Sequence, residues 1–326
     1  MIIVTGAAGF IGSALIWELN NRGVQDILAV DWLDTTSKWK NFYGLRFSEY
    51  VDRDDFLKLI EHSDKKCSRV EGVIHLGACS STTEADARFL MNNNYEYTRK
   101  LAMWCQAHNK RFIYASSAAT YGSGAQGFSD YHAVLQKLRP LNAYGYSKHA
   151  FDLWALQEGL LKSIVGLKYF NVFGPNEYHK QDMRSMALKA FYQIRDQKKI
   201  QLFKSHRPEY HDGQQQRDFV YVKDAVRMTL FFWDNKEICG IYNIASGVAS
   251  TWNALAGAVF SALKQKPYIE YIDMPPTIRD QYQYYTCADI SKLRAAGYAS
   301  PVTVLDAAVS DYVSAYLVPG ERHLGE

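Results

Sequence analysis

A short apolar run, Ile2-Ile3-Val4-Thr5, leads directly into Gly6-Ala7-Ala8-Gly9-Phe10-Ile11-Gly12, and a helical pattern follows over residues 11–22. Few chain segments tolerate three glycines at this spacing unless the backbone must turn sharply out of a strand and start a helix at once. Such a turn leaves free N–H groups at the positive end of the helix, where a pyrophosphate binds without side chains in its way. The spacing is GxxGxxG, and by itself it also describes a plain glycine-rich turn. Its context is more specific, because a second strand over residues 26–31 ends in Asp31. An acid at that separation accepts hydrogen bonds from an adenosine ribose; the alternative is an ordinary cap or turn residue.

The first half continues the pattern. Apolar runs at 72–78 (GVIHLGA), 111–116 (RFIYAS) and 163–170 predict strands, and residues 84–108 and 144–161 predict helices between them. Runs this continuously apolar suit strands covered on both faces, so the expected fold class is α/β. A Rossmann-type doubly wound parallel sheet is expected, with ligands at the carboxyl ends of its strands. After residue 170 the alternation becomes irregular and polar stretches such as 204–216 (KSHRPEYHDGQQQ) intervene. Residues 1–170 therefore read as the dinucleotide-binding domain and 171–326 mainly as a smaller α/β substrate lobe. Segments 218–233 and 288–293 are expected to return to the large domain.

Composition narrows the function classes. Hydrophobic residues make up 48% and charged residues 22% of 326, as in ordinary globular chains. Thirty-seven basic against 34 acidic residues give a net charge of +3, too balanced for a nucleic-acid binder that relies on phosphate contacts. Cysteines 67, 79, 105, 239 and 287 form no CxxC pair and have no histidine at ligand spacing, so neither structural zinc nor a disulfide framework is expected. His206 and His211 read as solvated loop residues, and no metal is expected. A reducing cytoplasm fits this cysteine usage. Neither a targeting segment nor a membrane span is expected, since the apolar stretch near 228–233 is far too short to cross a bilayer.

Tyr144 and Lys148 lie four residues apart, one turn of helix, on one face. A phenol titrates near roughly 10, and an adjacent ammonium favours its anion, which makes a better base. Tyr146 is out of phase with that lysine. The strand at 111–116 runs into Ser116 and Ser117, and a serine at this edge can hydrogen-bond a reacting oxygen; Ser117 is the expected one, with Ser116 turned into the fold. YxxxK and a strand-end serine are each weak signals. In this order behind a glycine fingerprint they describe hydride chemistry on an alcohol or carbonyl. Lys38, Lys40 and Arg53 flank the expected ribose site, where they either neutralise a further phosphate or form a solvated patch, so the residues leave NADP and NAD both open.

With these motifs together, the chain resembles the extended short-chain dehydrogenase/reductases acting on nucleotide sugars, along nearly its whole length. Within them it is most similar to the branch that epimerises ADP-heptoses. The matching segments include GACSSTTE (77–84), NNNYEYT (92–98), NAYGYSK (142–148), KYFNVFGPNEYHK (168–180), RDFVYVKDA (217–225) and YNIASG (242–247). The resemblance implies a bacterial isomerase of lipopolysaccharide heptose synthesis that oxidises and re-reduces C6 of the sugar between two bases. Tyr144 matches one base, Lys180 the other, and Ser117 and Lys148 complete the catalytic set. Cofactor contacts would come from Gly6, Gly9, Phe10, Ile11, Gly12, Asp31, Trp32, Lys38, Arg53, Leu76, Gly77, Ala78, Cys79, Ser80, Asn93, Lys148, Val172 and Lys180. Substrate contacts would come from Asn171, Ser185, Tyr192, Phe203, Arg217 and Tyr282. Lys38 and Arg53 match the family's holders of an extra cofactor phosphate, which makes NADP the expected cofactor. A homo-oligomer, specifically a pentamer, is implied in the same way.

The sequence also departs from that pattern. Leu76 replaces an expected acid, Tyr192 an expected histidine, two extra residues separate Lys180 from Ser185, and the loop before Arg217 is long. Ala118 and Ala119 stand where a nucleotide-sugar dehydratase needs an acid, which disfavours elimination. Two rivals remain: an NAD-dependent UDP-hexose 4-epimerase or related epimerase/reductase, and a regulatory or scaffold protein that only binds the dinucleotide.

Overall fold

The computed structural model describes residues 1–61, 68–279 and 282–326; Cys67 lies outside them. Seven parallel strands form the main sheet: β1 (Ile2–Thr5), β2 (Ile27–Asp31), β3 (Glu49–Asp52), β4 (Gly72–His75), β5 (Arg111–Ser117), β6 (Val165–Tyr169) and β10 (Gly240–Ile244). Their spatial order is β10-β6-β5-β4-β1-β2-β3, which reverses direction at β1 and β4. That reversal separates neighbouring strand ends and opens a crevice there, on the side to which every parallel strand points.

Helices cover both faces. The central strands β1, β4 and β5 are buried along nearly their full length, and two apolar clusters fill the two sides. Helices α1 (Phe10–Asn21) and α5 (Val222–Asp234) pack together over one face, whose cluster holds Leu15, Leu19, Val226 and Leu230. Helices α2 (Tyr97–Ala107) and α3 (Ala143–Gln157) lie over the other, with Leu101, Cys105 and Phe151 buried. The helix predicted over 144–161 stops at Gln157, because Gly159 adopts φ +70 and a short 3-10 turn replaces the last residues. The segment predicted as one helix over 84–108 contains a π-type turn, Met91–Glu96, before α2. Strands β3 and β10 were not among the predicted strands. β3 is short and buries only Val51, and β10 pairs with β6 from 71 residues further along the chain.

Beyond β6, strands β7 (Asn171–Phe173), β9 (Gln216–Tyr221) and β11 (Ala249–Thr251) form a small sheet, and β8 (Ile200–Phe203) pairs with β12 (Ile269–Ile272). Helix α4 (Met186–Gln197) packs on α6 (Trp252–Ala262) beside them. Among the described residues no helix is long and apolar enough to cross a membrane.

One buried carboxylate fastens these parts. Asp218 of β9 accepts from the Ser246 N–H at 2.8 Å, the Ser246 hydroxyl at 2.7 Å, the Gly247 N–H at 3.0 Å and the Ala288 N–H at 3.1 Å. It therefore joins the small sheet to the chain leaving β10 and to the segment at Ala288. Asp218→Ala leaves three backbone donors without this acceptor. We expect a loss of about 3–5 kcal/mol in urea unfolding; a change under ~1 kcal/mol would mean that water replaces the carboxylate at no cost.

Candidate active site

Gly6 turns the chain out of β1 at φ +67, and a Cβ there would lie 2.7 Å from the Gly77 nitrogen. Gly12 is tighter: its Cβ would stand 2.0 Å from the Gly6 carbonyl oxygen. Both positions therefore need glycine, because the loop closes backbone against backbone. Gly9 caps α1 without any side-chain hydrogen bond, which leaves the first N–H groups of the helix unclaimed by a cap. Asp31, at the end of β2, accepts from the Ala8 N–H at 2.7 Å and the Trp32 N–H at 2.7 Å. The acid thus braces the glycine-rich loop and also faces the cleft.

That cleft has a volume of about 1220 Å³ and follows the carboxyl ends of the strands. It gathers nearly every residue singled out from sequence: Gly6, Gly9, Phe10, Ile11, Gly12, Asp31, Trp32, Lys38, Arg53, Leu76, Gly77, Ala78, Cys79, Ser80, Asn93, Ser117, Tyr144, Lys148, Asn171, Val172, Lys180, Ser185 and Tyr282. Tyr192, Phe203 and Arg217 are not on its wall. The Tyr192 hydroxyl bonds Glu321 at 2.6 Å, and Phe203 packs edge-on to Tyr282. Arg217 lies one layer behind, its guanidinium 5.5 Å from the Trp252 ring and 5.2 Å from the Tyr282 ring. Both rings line the cleft.

Ser117 shares a hydrogen bond with Tyr144. Ser116 points the other way and donates to Asp152 at 2.8 Å, as its place on the opposite face of the strand requires. Burial raises the Tyr144 phenol above its ordinary value, and the bond to Ser117 opposes that shift. The Lys148 ammonium donates to the Ala115 carbonyl at 3.0 Å, and burial pulls its pKa down to about 8 despite nearby Asp152. Asp152 also accepts from Tyr114 at 2.9 Å and pairs with the fully buried Lys168 at 3.6 Å. Burial lowers the Lys180 amine as well, with Glu177 partly offsetting it.

Sequence reasoning missed several supports of this site. Asn94, wholly buried, bonds both the N–H and the carbonyl of Cys79 and the Ser147 hydroxyl. His75 is stacked between Tyr97 and Phe112 and bridges Thr5 and Thr98, with burial holding it neutral. Glu177, also buried, accepts from the Gly174 N–H and from both the N–H and hydroxyl of Ser185. Ser185 in turn caps α4 through the Leu188 N–H, so its hydroxyl is already engaged. The segment between Lys180 and Ser185 kinks at Gln181, φ +47. The long loop is anchored by Ser205 on Asp212 and by the His206 N–H on the Tyr284 hydroxyl. Among the described residues no group of three or more His, Cys, Asp or Glu is placed to hold a metal ion.

Comparison with known proteins places this geometry. The model of the NAD dependent epimerase/dehydratase family matches residues 2–245. The chain is 51% identical over 324 residues to the ADP-L-glycero-D-manno-heptose-6-epimerase of Nitratidesulfovibrio vulgaris, covering 99% of this chain and 100% of that one. The solved ADP-L-glycero-D-manno-heptose-6-epimerase of Helicobacter pylori superposes with a TM-score of 0.79 at 26% identity, covering 96% and 94% of the two chains. The UDP-glucuronic acid 4-epimerase of Bacillus cereus, in complex with UDP-glucuronic acid and NAD, gives 0.76 at 26% identity, covering 96% and 99%.

These findings overturn the expectation of NADP, since the matching family is NAD dependent and the Bacillus cereus neighbour was solved with NAD. The geometry supplies the reason. Lys38 stands 3.1 Å from Asp31 and 3.5 Å from Asp34, so its charge is engaged by two carboxylates. Arg53 is held by Asn93 at 2.6 Å and Asp54 at 3.2 Å, stacked 5.0 Å from Trp32.

The depressed Lys148 has a measurable consequence. A buried cation whose folded pKa lies below its unfolded value destabilises the fold at every pH where both states are protonated. That penalty is released as pH rises through about 8 towards the unfolded value. Lys148→Met should therefore stabilise the ligand-free protein at pH 6.5 by on the order of 1–2 kcal/mol in urea, net of the lost hydrogen bond, and by less at pH 9.5. Destabilisation at both pH values would show that the bond to Ala115 outweighs the desolvation.

Proposed function

Because the chain belongs to the NAD dependent epimerase/dehydratase family, we propose that it is an isomerase converting ADP-D-glycero-D-manno-heptose to ADP-L-glycero-D-manno-heptose with bound NAD, within lipopolysaccharide core synthesis. One observation carries this reading: Ser117, Tyr144 and Lys148 share a single cleft with the glycine-rich loop and with Lys180.

The residues present fit a dinucleotide. Gly6 and Gly9 offer bare backbone to the cleft, the start of α1 has no side-chain cap, and Asp31 faces the position of a ribose. NAD held there would supply a reversible hydride acceptor. The chain's own residues manage the proton. In one orientation Tyr144 takes the proton of the C6 hydroxyl as hydride leaves C6, with Ser117 hydrogen-bonded to the reacting oxygen and Lys148 supplying positive charge one helical turn away. The resulting ketone turns, hydride returns to its other face, and Lys180 delivers the proton to the oxygen. Lys180 must pass through its neutral amine to take the Tyr144 role in the reverse direction. Burial favours that form. Arg217, desolvated behind Trp252 and Tyr282, supplies positive charge toward the substrate diphosphate. Ala118 and Ala119 provide no acid for elimination. The proposal includes a homo-oligomer, a pentamer, measurable by sedimentation. It also places the protein in a reducing cytoplasm that keeps Cys79, Cys105, Cys239 and Cys287 as thiols.

Purified protein incubated with the ADP-heptose, and in parallel with UDP-glucose, should invert only the heptose, followed at C6 by NMR. Conversion of the UDP-hexose alone would transfer the assignment to a 4-epimerase.

Two substitutions separate the bases. Tyr144→Phe and Lys180→Met should each lower net epimerisation by about a hundredfold or more, the range for loss of general acid–base catalysis. Each should still disproportionate an analogue carrying an aldehyde at C6, where one molecule is oxidised to the acid and another reduced to the alcohol. Near wild-type epimerisation by Lys180→Met would mean that Tyr144 serves both faces.

Cofactor choice is tested at Asp31. Asp31→Ala removes the acceptor facing the ribose and frees Lys38, so NAD affinity should fall about ten- to hundredfold and the preference over NADP should narrow. An unchanged ratio of the two affinities would remove Asp31 from cofactor selection.

A further inference from the structure

Lys180 belongs to a loop whose position is set from the other side of the cleft. Asn41, almost fully buried beyond Lys38, donates from Nδ2 to the Ala8 carbonyl at 2.8 Å and to the Asn176 carbonyl at 3.0 Å. Carbonyls only accept, so these contacts fix which end of the amide is nitrogen. Its Oδ1 then faces His323 Nδ1 at 2.9 Å, and that ring nitrogen must carry the proton. The first acceptor lies in the glycine-rich loop, where the Ala8 N–H is already bonded to Asp31. The second lies four residues before Lys180. Asn176 is itself immobilised: wholly buried at φ +77, it donates to the Ser13 hydroxyl of α1 at 2.9 Å and accepts from the Leu324 N–H at 2.9 Å. From there the chain makes a single turn, closed by the Lys180 N–H on the Glu177 carbonyl, and the amine lies 5.2 Å from the Phe10 ring.

We infer that Asn41 is a positioning residue for Lys180: its amide fastens the Lys180 loop to the glycine-rich loop, so that the amine and the dinucleotide site form one rigid unit. This rests on the reading of Lys180 as the second base. A base that must meet one face of a turning ketone has to be located relative to the dinucleotide, and Asn41 supplies that reference through Ala8. Asn41 is not itself on the cleft wall, which it reaches only through His179, whose Nδ1 lies 3.3 Å from its Nδ2, so its loss should act on turnover and leave binding alone.

The test uses the NAD-loaded enzyme with Asn41→Ala, Lys180→Met and His323→Ala, assayed for epimerisation of ADP-D-glycero-D-manno-heptose and for dismutation of the C6-aldehyde analogue. A misplacement of about 1 Å costs on the order of a hundredfold in rate. Asn41→Ala should accordingly lower kcat for epimerisation roughly ten- to hundredfold, with KM, NAD content and dismutation close to wild type, the same signature as Lys180→Met. A merely structural role would depress epimerisation and dismutation together, and that result overturns the proposal, as does unchanged epimerisation. Normal epimerisation by Lys180→Met sinks the second-base reading and the proposal with it. If Asn41→Ala does not fold, His323→Ala, which removes the donor to Oδ1 together with a ring packed edge-on to Tyr43 and Tyr178, should show the same split at smaller amplitude; equal losses in both assays overturn the proposal there too.

Discussion

No side chain fits at Gly12, because the Gly6 carbonyl oxygen occupies the place of its Cβ. That contact draws the first turn of α1 against the end of β1, and much of the site follows from it. Gly6 meets the backbone at Gly77 on one side, which sets the end of β4. On the other side Asp31 holds Ala8 from the end of β2. Ser13, one residue after Gly12, holds Asn176 and thereby the loop of Lys180. The glycine-rich loop and the segment of Lys180 are therefore referenced to the same few backbone atoms.

The cleft is organised around charge that has been withdrawn from water. Lys148 gives up solvent for a single carbonyl, and its pKa falls to about 8. Glu177 is buried on three donors, and burial still raises its pKa. Arg217 faces two aromatic rings. A protein selected for stability alone would replace such groups with apolar ones. Such groups in and just behind one cleft are the expected imprint of function on a marginally stable fold.

The doubly wound sheet was legible because its signals are local: apolar runs, helical phase and glycine spacing. Ser117 was separable from Ser116 for the same reason, since neighbours in a strand point to opposite faces. What the sequence concealed depends on contacts distant along the chain. Strand β10 is recognisable only by pairing with β6, and Asp218 only by the backbone donors it collects from two distant segments. Asn41, Asn94 and Glu177 look like ordinary polar residues until the fold buries them. Arg217 was placed by its family match, and the fold sets it behind Trp252 and Tyr282, with no place on the cleft wall.

Lys38 shows how far position alone can mislead. Near a ribose, a lysine followed by an arginine reads as a phosphate holder, and the sequence offers no reason to discount either. In the fold Lys38 lies between Asp31 and Asp34, and Arg53 shares its charge with Asp54. Around the ribose end these three carboxylates stand against two cations. A further phosphate would bring two more negative charges to a region already tipped that way, with Asp31 too buried to be screened well by water. A ribose hydroxyl, by contrast, needs only an acceptor. Of the two basic residues that look like an invitation to a phosphate, Lys38 serves instead to hold Asp31 in place, and Arg53 is held by Asn93 and Asp54.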